Sequence, residues 1–225
     1  MPRIVRIVIP HYPHHVTQRG NRRQRVFFND EDYIFYKKTI AAALSQAQVA
    51  LWAYCLMPSH VHLVVVPETE GGLCNLFRKA HRDYTRRINF REGWRGHLWQ
   101  ERFHSFVMDE NYLLATVRYV ELNPVRASLC PCAEDWPWSS VHAHLKGEDD
   151  DLVTVKPMLS LVNDWLECLG QQDLDAHKSM RMHTNTGMPL GEDALIEKVE
   201  AITGRDLRKR RPGPKRKMEL KSLSP

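Results

Sequence analysis

The chain has 225 residues, 43% of them apolar and 26% charged, with a formal net charge of +5. That composition suits a globular protein with a real core, and the length suits one domain with appendages. No apolar run approaches the ~18 residues of a membrane-spanning helix, and the charged N-terminal stretch MPRIVRIVIPHYPHH is expected to make a poor signal peptide.

His14 to Gly20 reads as a short strand running into a basic loop, RGNRRQR. Asn29 or Asp30 is suited to cap a helix, with Glu31 and Asp32 in its first turn. Tyr33, Tyr36, Ile40, Leu44 and Ala47 then recur at helical spacing. Val49 to Met57 (VALWAYCLM) reads as a strand, Pro58-Ser59 breaks it, and His60 to Pro67 (HVHLVVVP) reads as a second. So short a break predicts antiparallel neighbours. Leu73, Leu76, Phe77, Ala80, Tyr84 and Ile88 mark a second helix, whose other face carries Arg78, Lys79, Arg82, Arg86, Arg87 and Arg91.

Leu98 to Met108 reads as a further strand. Asp109 is placed to cap a third helix that ends near Asn123-Pro124. WPWSS follows at 136–140, and GEDDD at 147–151 reads as a solvated linker. Pro157 suits the first turn of a helix through Met158, Leu161, Trp165 and Leu169. Glu192 to Thr203 is another helix, stopped by Gly204. The tail LRKRRPGPKRK is too basic and too rich in Pro and Gly to pack. This order predicts an α+β fold with an antiparallel sheet, helices mainly on one face, and a helical C-terminal extension.

Charge is unevenly spread. Residues 1–144 hold 18 basic and 13 acidic residues, 145–204 hold 5 and 12, and 205–225 hold 9 and 2. The first and last blocks suit a polyanion and the middle one does not. The five cysteines are odd in number and form no C-x-x-C pair, which argues against a disulfide framework and for a cytoplasmic setting. The lone C-x-C at Cys130 and Cys132 is a weak metal pattern.

His60-Val61-His62 is the sharpest chemical feature. Residues two apart on a strand share a face, so both imidazoles project together, as two corners of a metal site. The plainer alternative is two polar residues on a solvated sheet face. A second pair, His142-Ala143-His144, has no apolar strand around it and reads as surface. Tyr119 and Asn123 are four apart and share a helix face, although Pro124 disfavours helical geometry at Asn123. A phenol could attack and an amide oxygen coordinate, whereas Glu121 points to roughly the opposite side. Tyr112 is the main rival to Tyr119, and a core or interface tyrosine is the alternative for both.

Together RGNRRQRVFF (19–28), CLMPSHVHLVVVP (55–67), LWQERFHSF (98–106), VRYVELNPVRA (117–127) and WPWSS resemble the REP-associated tyrosine transposases, single-tyrosine members of the HUH superfamily. The resemblance covers about residues 10–145 and implies a ferredoxin-like catalytic domain over 1–145. An acidic linker with accessory helices (146–204) and a disordered basic tail (205–225) would follow. It implies action on single-stranded or hairpin DNA through a 5′-phosphotyrosine at Tyr119. Mg²⁺ or Mn²⁺ would be held by His60, His62 and Asn123. Arg19, Arg22, Arg23 and Arg25 in the loop, and Arg78, Lys79, Arg82, Arg86 and Arg87 on the second helix, are expected to bind phosphates. Base stacking is expected from aromatics, with Trp94, Trp99, Trp136 and Trp138 as candidates. Two other readings stay open: a catalytically silent nucleic-acid-binding protein, and a metal-dependent phosphodiester hydrolase that does not use the tyrosine. The sequence leaves monomer or dimer undecided.

Overall fold

The structure, a computed structural model, describes residues 6–171 and 174–208. Strands β1 (His14–Arg19), β2 (Val49–Met57), β3 (His60–Pro67) and β4 (His104–Val107) form one antiparallel sheet in the order β2-β3-β1-β4. Helix α1 (Asp30–Ala47) joins β1 to β2, and α2 (Gly72–Glu92) joins β3 to β4. The path is therefore βαββαβ, the ferredoxin-like arrangement. β2 and β3 pair across the Pro58-Ser59 turn, with Met57 opposite His60.

Local chemistry sets the helix ends. The Asn29 side chain accepts the Asp32 amide at 3.1 Å, and three acidic residues occupy the first turn of α1. Gly93, at φ 66°, closes α2.

Two cores flank the sheet. On one side Val16, Leu63 and Val65 pack against Tyr36 and Ile40 of α1 and Phe77 and Tyr84 of α2. This is the face the sequence assigns to the helices. The other face is also covered. Val64, Cys55 and Phe106 pack there against Leu113, Val117 and Val120 of α3 (Glu110–Glu121), and against Trp165 and Met180 of the extension. A register shift between Leu51 and Ala53 lets β2 serve both: Leu51 belongs to the first core and Ala53 to the second.

Three expectations need correction. The strand foreseen over 98–108 is cut to His104–Val107, because Glu101 adopts a left-handed conformation (φ 51°) that breaks it. Leu98 and Gln100 still bond to Asn21 and Arg19. The acidic stretch 147–151 is not simply a solvated linker. Asp150 accepts the Tyr54 hydroxyl at 2.6 Å and the amides of Leu152 and Val153 at 2.7 Å each, and it pairs with Lys37. Burial works against its charge, yet these donors hold its carboxyl below the ordinary range. The third correction concerns His144, which is buried rather than on the surface. It lies on α5 (Val141–Lys146), a helix and not an open loop, and it turns inward to a carboxylate.

After α3 come α4 (Asn123–Arg126), α5, α6 (Lys156–Leu159), α7 (Trp165–Gly170), α8 (Leu174–Thr186) and α9 (Asp193–Thr203). The helix expected from Pro157 through Leu169 is split into α6 and α7, and α8 has no counterpart in the sequence reading. Helix α9 matches the expected Glu192–Thr203 helix and brings Leu195 and Val199 against Ile7, Ile9 and Val107. Among the described residues no helix is long and apolar enough to cross a membrane. Most of the basic tail, 209–225, lies outside the described residues.

Candidate active site

Strand alternation builds the site. Val61, Leu63 and Val65 point into the core beneath α1 and α2, which leaves His60, His62 and Val64 on the opposite face. The rings of His60 and His62 are 4.9 Å apart at an interplanar angle of 75°. β1 pairs with β3, so His15 lies opposite Val64 and Thr17 opposite His62. His15 therefore joins the same face. Its ring stacks on His62 at 5.1 Å, and its Nε2 is 2.9 Å from His62 Nδ1. Helix α3 crosses this face and sets the ring of Tyr119 edge-on to His62 (5.9 Å) and to His15 (6.2 Å).

The electrostatics favour neutral imidazoles. Burial first, and the charge of Arg19 second, lowers His60 to about 4. Burial, together with His60, His15, Arg126 and Arg19, pushes His62 well below its ordinary value. Burial alone takes His15 to about 3. Neutral imidazole is the ligand form of histidine. The Nδ1 atoms already have partners: Ser59 Oγ is 3.1 Å from His60 Nδ1, and His15 holds His62. In both rings the Nε2 atom is thus the one left for a ligand.

Asn123 is buried, and its amide nitrogen has no hydrogen-bond partner. α3 stops at Glu121, and Leu122 (φ −82°, ψ 4°) leads into α4, where Pro124 occupies the first turn. The interruption is the one Pro124 predicts, so Asn123 does not continue the Tyr119 helix. Among the described residues no group of three or more His, Cys, Asp or Glu forms a metal cage. The donors that fit a divalent ion here are the two neutral imidazoles, and the buried Asn123 amide is the further candidate. Of the rival tyrosines, Tyr84 donates its hydroxyl to Val26 O in the core, and Tyr112 makes no ring contact with these histidines among the described residues.

Arg126 was not singled out from sequence. Its guanidinium carbon lies 4.1 Å from the centroid of the Tyr119 ring, and Nη2 donates to Tyr119 O at 2.6 Å. Burial lowers its pKa, against the favourable pull of Tyr119. Arg126 lies on α4, past the break at Leu122, so helical spacing from Tyr119 does not announce it. Glu121 faces away from the histidines, as expected. It is fully buried and accepts Ser140 Oγ (2.5 Å), His144 Nδ1 (2.6 Å) and Trp165 Nε1 (2.9 Å). These partners tie α3 to α5 and α7.

The two arginine clusters part company. Arg19 lies opposite His60 in the register, and the Gly20 amide bonds Ser59 O, so Arg19, Arg22, Arg23 and Arg25 sit exposed beside the site. A Cβ on Gly20 would fall 2.4 Å from Gln24 O, so the tight loop needs glycine there. Arg78, Lys79, Arg82, Arg86 and Arg87 belong to α2, in the layer across the sheet from Tyr119. Lys79 and Arg82 pair with Asp83. Arg91 forks onto the buried Asp32 and is structural. Arg78, Arg82 and Arg86 line a cavity of about 530 Å³ that shares Arg6 and Arg102 with a second of about 890 Å³. The second reaches Asn21 of the basic loop and His104 of β4, so the two cavities adjoin along the β4 edge. Of the tryptophans, Trp138 stacks on Tyr33, Trp136 donates to Leu56 O, and Trp99 is buried on His81; they are core elements.

A family model described as "Transposase IS200 like" matches residues 8–123, which include both β3 histidines and Tyr119. A Haemophilus influenzae (strain Rd) protein named as a REP-associated tyrosine transposase is 27% identical over 107 residues. That match takes in 43% of this chain and 61% of the relative, less than two thirds of its length. The solved structure of a REP-associated tyrosine transposase bound to a REP hairpin superposes with a TM-score of 0.57 at 20% identity, over 68% of this chain and 92% of the other. That likeness is one of fold.

Proposed function

The chain belongs to the IS200-like transposase family, and on that premise we propose that it cuts and rejoins single-stranded DNA through a covalent link to Tyr119. The observation that carries the proposal is the placing of the Tyr119 ring between His62, at 5.9 Å, and the Arg126 guanidinium, at 4.1 Å. A free phenol, with a pKa of about 10, is a weak nucleophile at neutral pH. Arg126 brings a guanidinium to the face of its ring, and a positive charge there offsets charge developing on the attacking phenol oxygen. Tyr119 Oη attacks phosphorus and loses its proton. The bond from phosphorus to the 3′-oxygen breaks, and that oxygen takes up a proton. The products are a 5′-phosphotyrosine and a free 3′-hydroxyl. Attack by the 3′-hydroxyl of another end reverses the step, so the energy of the cut bond is kept for joining.

His60, His62 and Asn123 would hold Mg²⁺ or Mn²⁺, which when bound offsets negative charge gathering on the phosphate oxygens. Arg19, Arg22, Arg23 and Arg25 grip phosphates next to the cut, and the α2 arginines and Lys79 grip those farther along. The basic tail adds further non-specific contact. The fold neighbour was solved on a REP hairpin, which supports hairpin-bearing single strands as the substrate class. The reaction is assigned to the cytoplasm.

The test is a hairpin oligonucleotide with single-stranded flanks, incubated with Mg²⁺ or Mn²⁺ and resolved on a denaturing gel. A covalent protein–DNA band is expected, and Tyr119→Phe should abolish it. A band from Tyr119→Phe would move the nucleophile to Tyr112. Full metal-dependent cleavage by His60→Ala and His62→Ala would overturn the metal site.

A further inference from the structure

Helix α2 ends on an anomaly. Phe90 is 90% exposed, the most open of the large apolar side chains among the described residues, and Trp94 just beyond it is 42% exposed. Water strongly disfavours bare aromatic faces, and nearby exposed aromatics mark binding sites more often than chance. Trp94, four residues after Phe90, is held in place. Phe28 packs edge-on against Trp94 at 5.7 Å, the Trp94 amide bonds Asn89 O, and Asn89 Nδ2 ties down the following loop through Gly96 O.

The surroundings are cationic. Arg86 and Arg87 lie four and three residues before Phe90, on the same side of the helix. Arg95 follows Trp94, and all three arginines are exposed. The local carboxylates, Asp32 and Glu92, are both taken by Arg91. Among the described residues no ion pair engages Arg86, Arg87 or Arg95, and the Arg87 guanidinium lies 4.4 Å over the Phe35 ring. Arg86 also lines the 530 Å³ cavity. Phe28, which packs on Trp94, ends the stretch that begins with Arg19.

We propose that Phe90 and Trp94 form a stacking platform for an unpaired base of the DNA substrate, while Arg86, Arg87 and Arg95 take the adjoining phosphates. Exposed aromatic side chains near guanidinium groups that no carboxylate neutralises fit a nucleobase on a charged backbone better than an apolar protein surface. Stacking of this kind accepts any base, so the platform would fix the position of a strand and not its sequence. The inference rests on the DNA-cleaving role proposed above.

The test is fluorescence anisotropy of a labelled hairpin with single-stranded flanks, read beside covalent adduct formation and light-scattering mass. Both side chains are exposed, so their removal should leave the fold intact. Phe90→Ala is expected to weaken binding by roughly 5- to 150-fold, and Phe90→Tyr to restore it. Trp94→Ala should act in the same direction. Unchanged affinity in Phe90→Ala, with wild-type adduct formation, would overturn the platform and leave the DNA-cleaving role standing. A change of oligomeric mass in Phe90→Ala with unchanged DNA affinity would make the patch a self-association surface and also overturn it. If the intact protein neither binds nor cleaves such DNA, the functional proposal falls first and the platform with it.

Discussion

His15 and His62 share a 2.9 Å contact between Nε2 and Nδ1, with their rings stacked 5.1 Å apart. A ligand that offers Nε2 to a cation must carry its proton on Nδ1, so in the loaded site His62 donates and His15 accepts. If His62 holds the proposed metal, the bond selects its ligand tautomer. His15→Ala should lower Mn²⁺ affinity by roughly 10- to 100-fold, measured by calorimetry without DNA. Equal affinity in the variant would make the contact mere packing.

The buried imidazoles also set an acid limit. Burial takes His14 and His60 to about 4, and His15 and His81 to about 3, in the folded chain. In the unfolded chain each titrates near 6.5. Between these values the unfolded chain binds more protons, so stability is complete above about pH 6.5 and falls as pH drops toward 4. Tm should be flat from pH 8 to 7 and clearly lower at pH 5. Mn²⁺ binding should hold to a lower pH than an exposed histidine site allows, because protons compete only near 4. A midpoint of metal loss near 6.5 would contradict these environments.

Arg126 is expected to matter to the chemical step more than to binding. Arg126→Ala should slow adduct formation by roughly 100-fold, the scale of one lost charge-stabilising donor, with hairpin affinity changed far less. A matching loss in both would make Arg126 a DNA contact instead.

Arg91 should behave unlike its neighbours on α2. Its fork onto the fully buried Asp32 means that Arg91→Ala strands a carboxylate in the core, at a cost of about 3–5 kcal/mol. Urea unfolding would read this. Arg22→Ala or Arg25→Ala should cost little stability but lower the salt slope of single-strand binding by roughly 0.7 per lost contact. The opposite pattern would exchange their roles.

Much of this was legible in the sequence, and what was not shares a cause. β2, β3, α2 and α9 emerge from periodicity and turn residues within each segment. The His60–His62 face follows from strand alternation alone. The role of His15 needs the pairing of β1 with β3, whose strands are 40 residues apart in the chain. The inward turn of His144 needs Glu121, 23 residues earlier. The late start of β4 follows from a left-handed glutamate, which local pattern does not announce. Exposure of Phe90 depends on what fails to cover it, and only the packed chain decides that.

The carboxylate of Glu121 is where separately arriving pieces of chain meet. In the order of synthesis, the helix bearing Tyr119 emerges first, its clamp from Ser140 and His144 comes next, and Trp165 arrives last, 44 residues after Glu121. A growing chain thus carries Tyr119 long before that helix is fully fastened. Under the cleavage role proposed above, the protein would become competent to cut DNA only late in its own making.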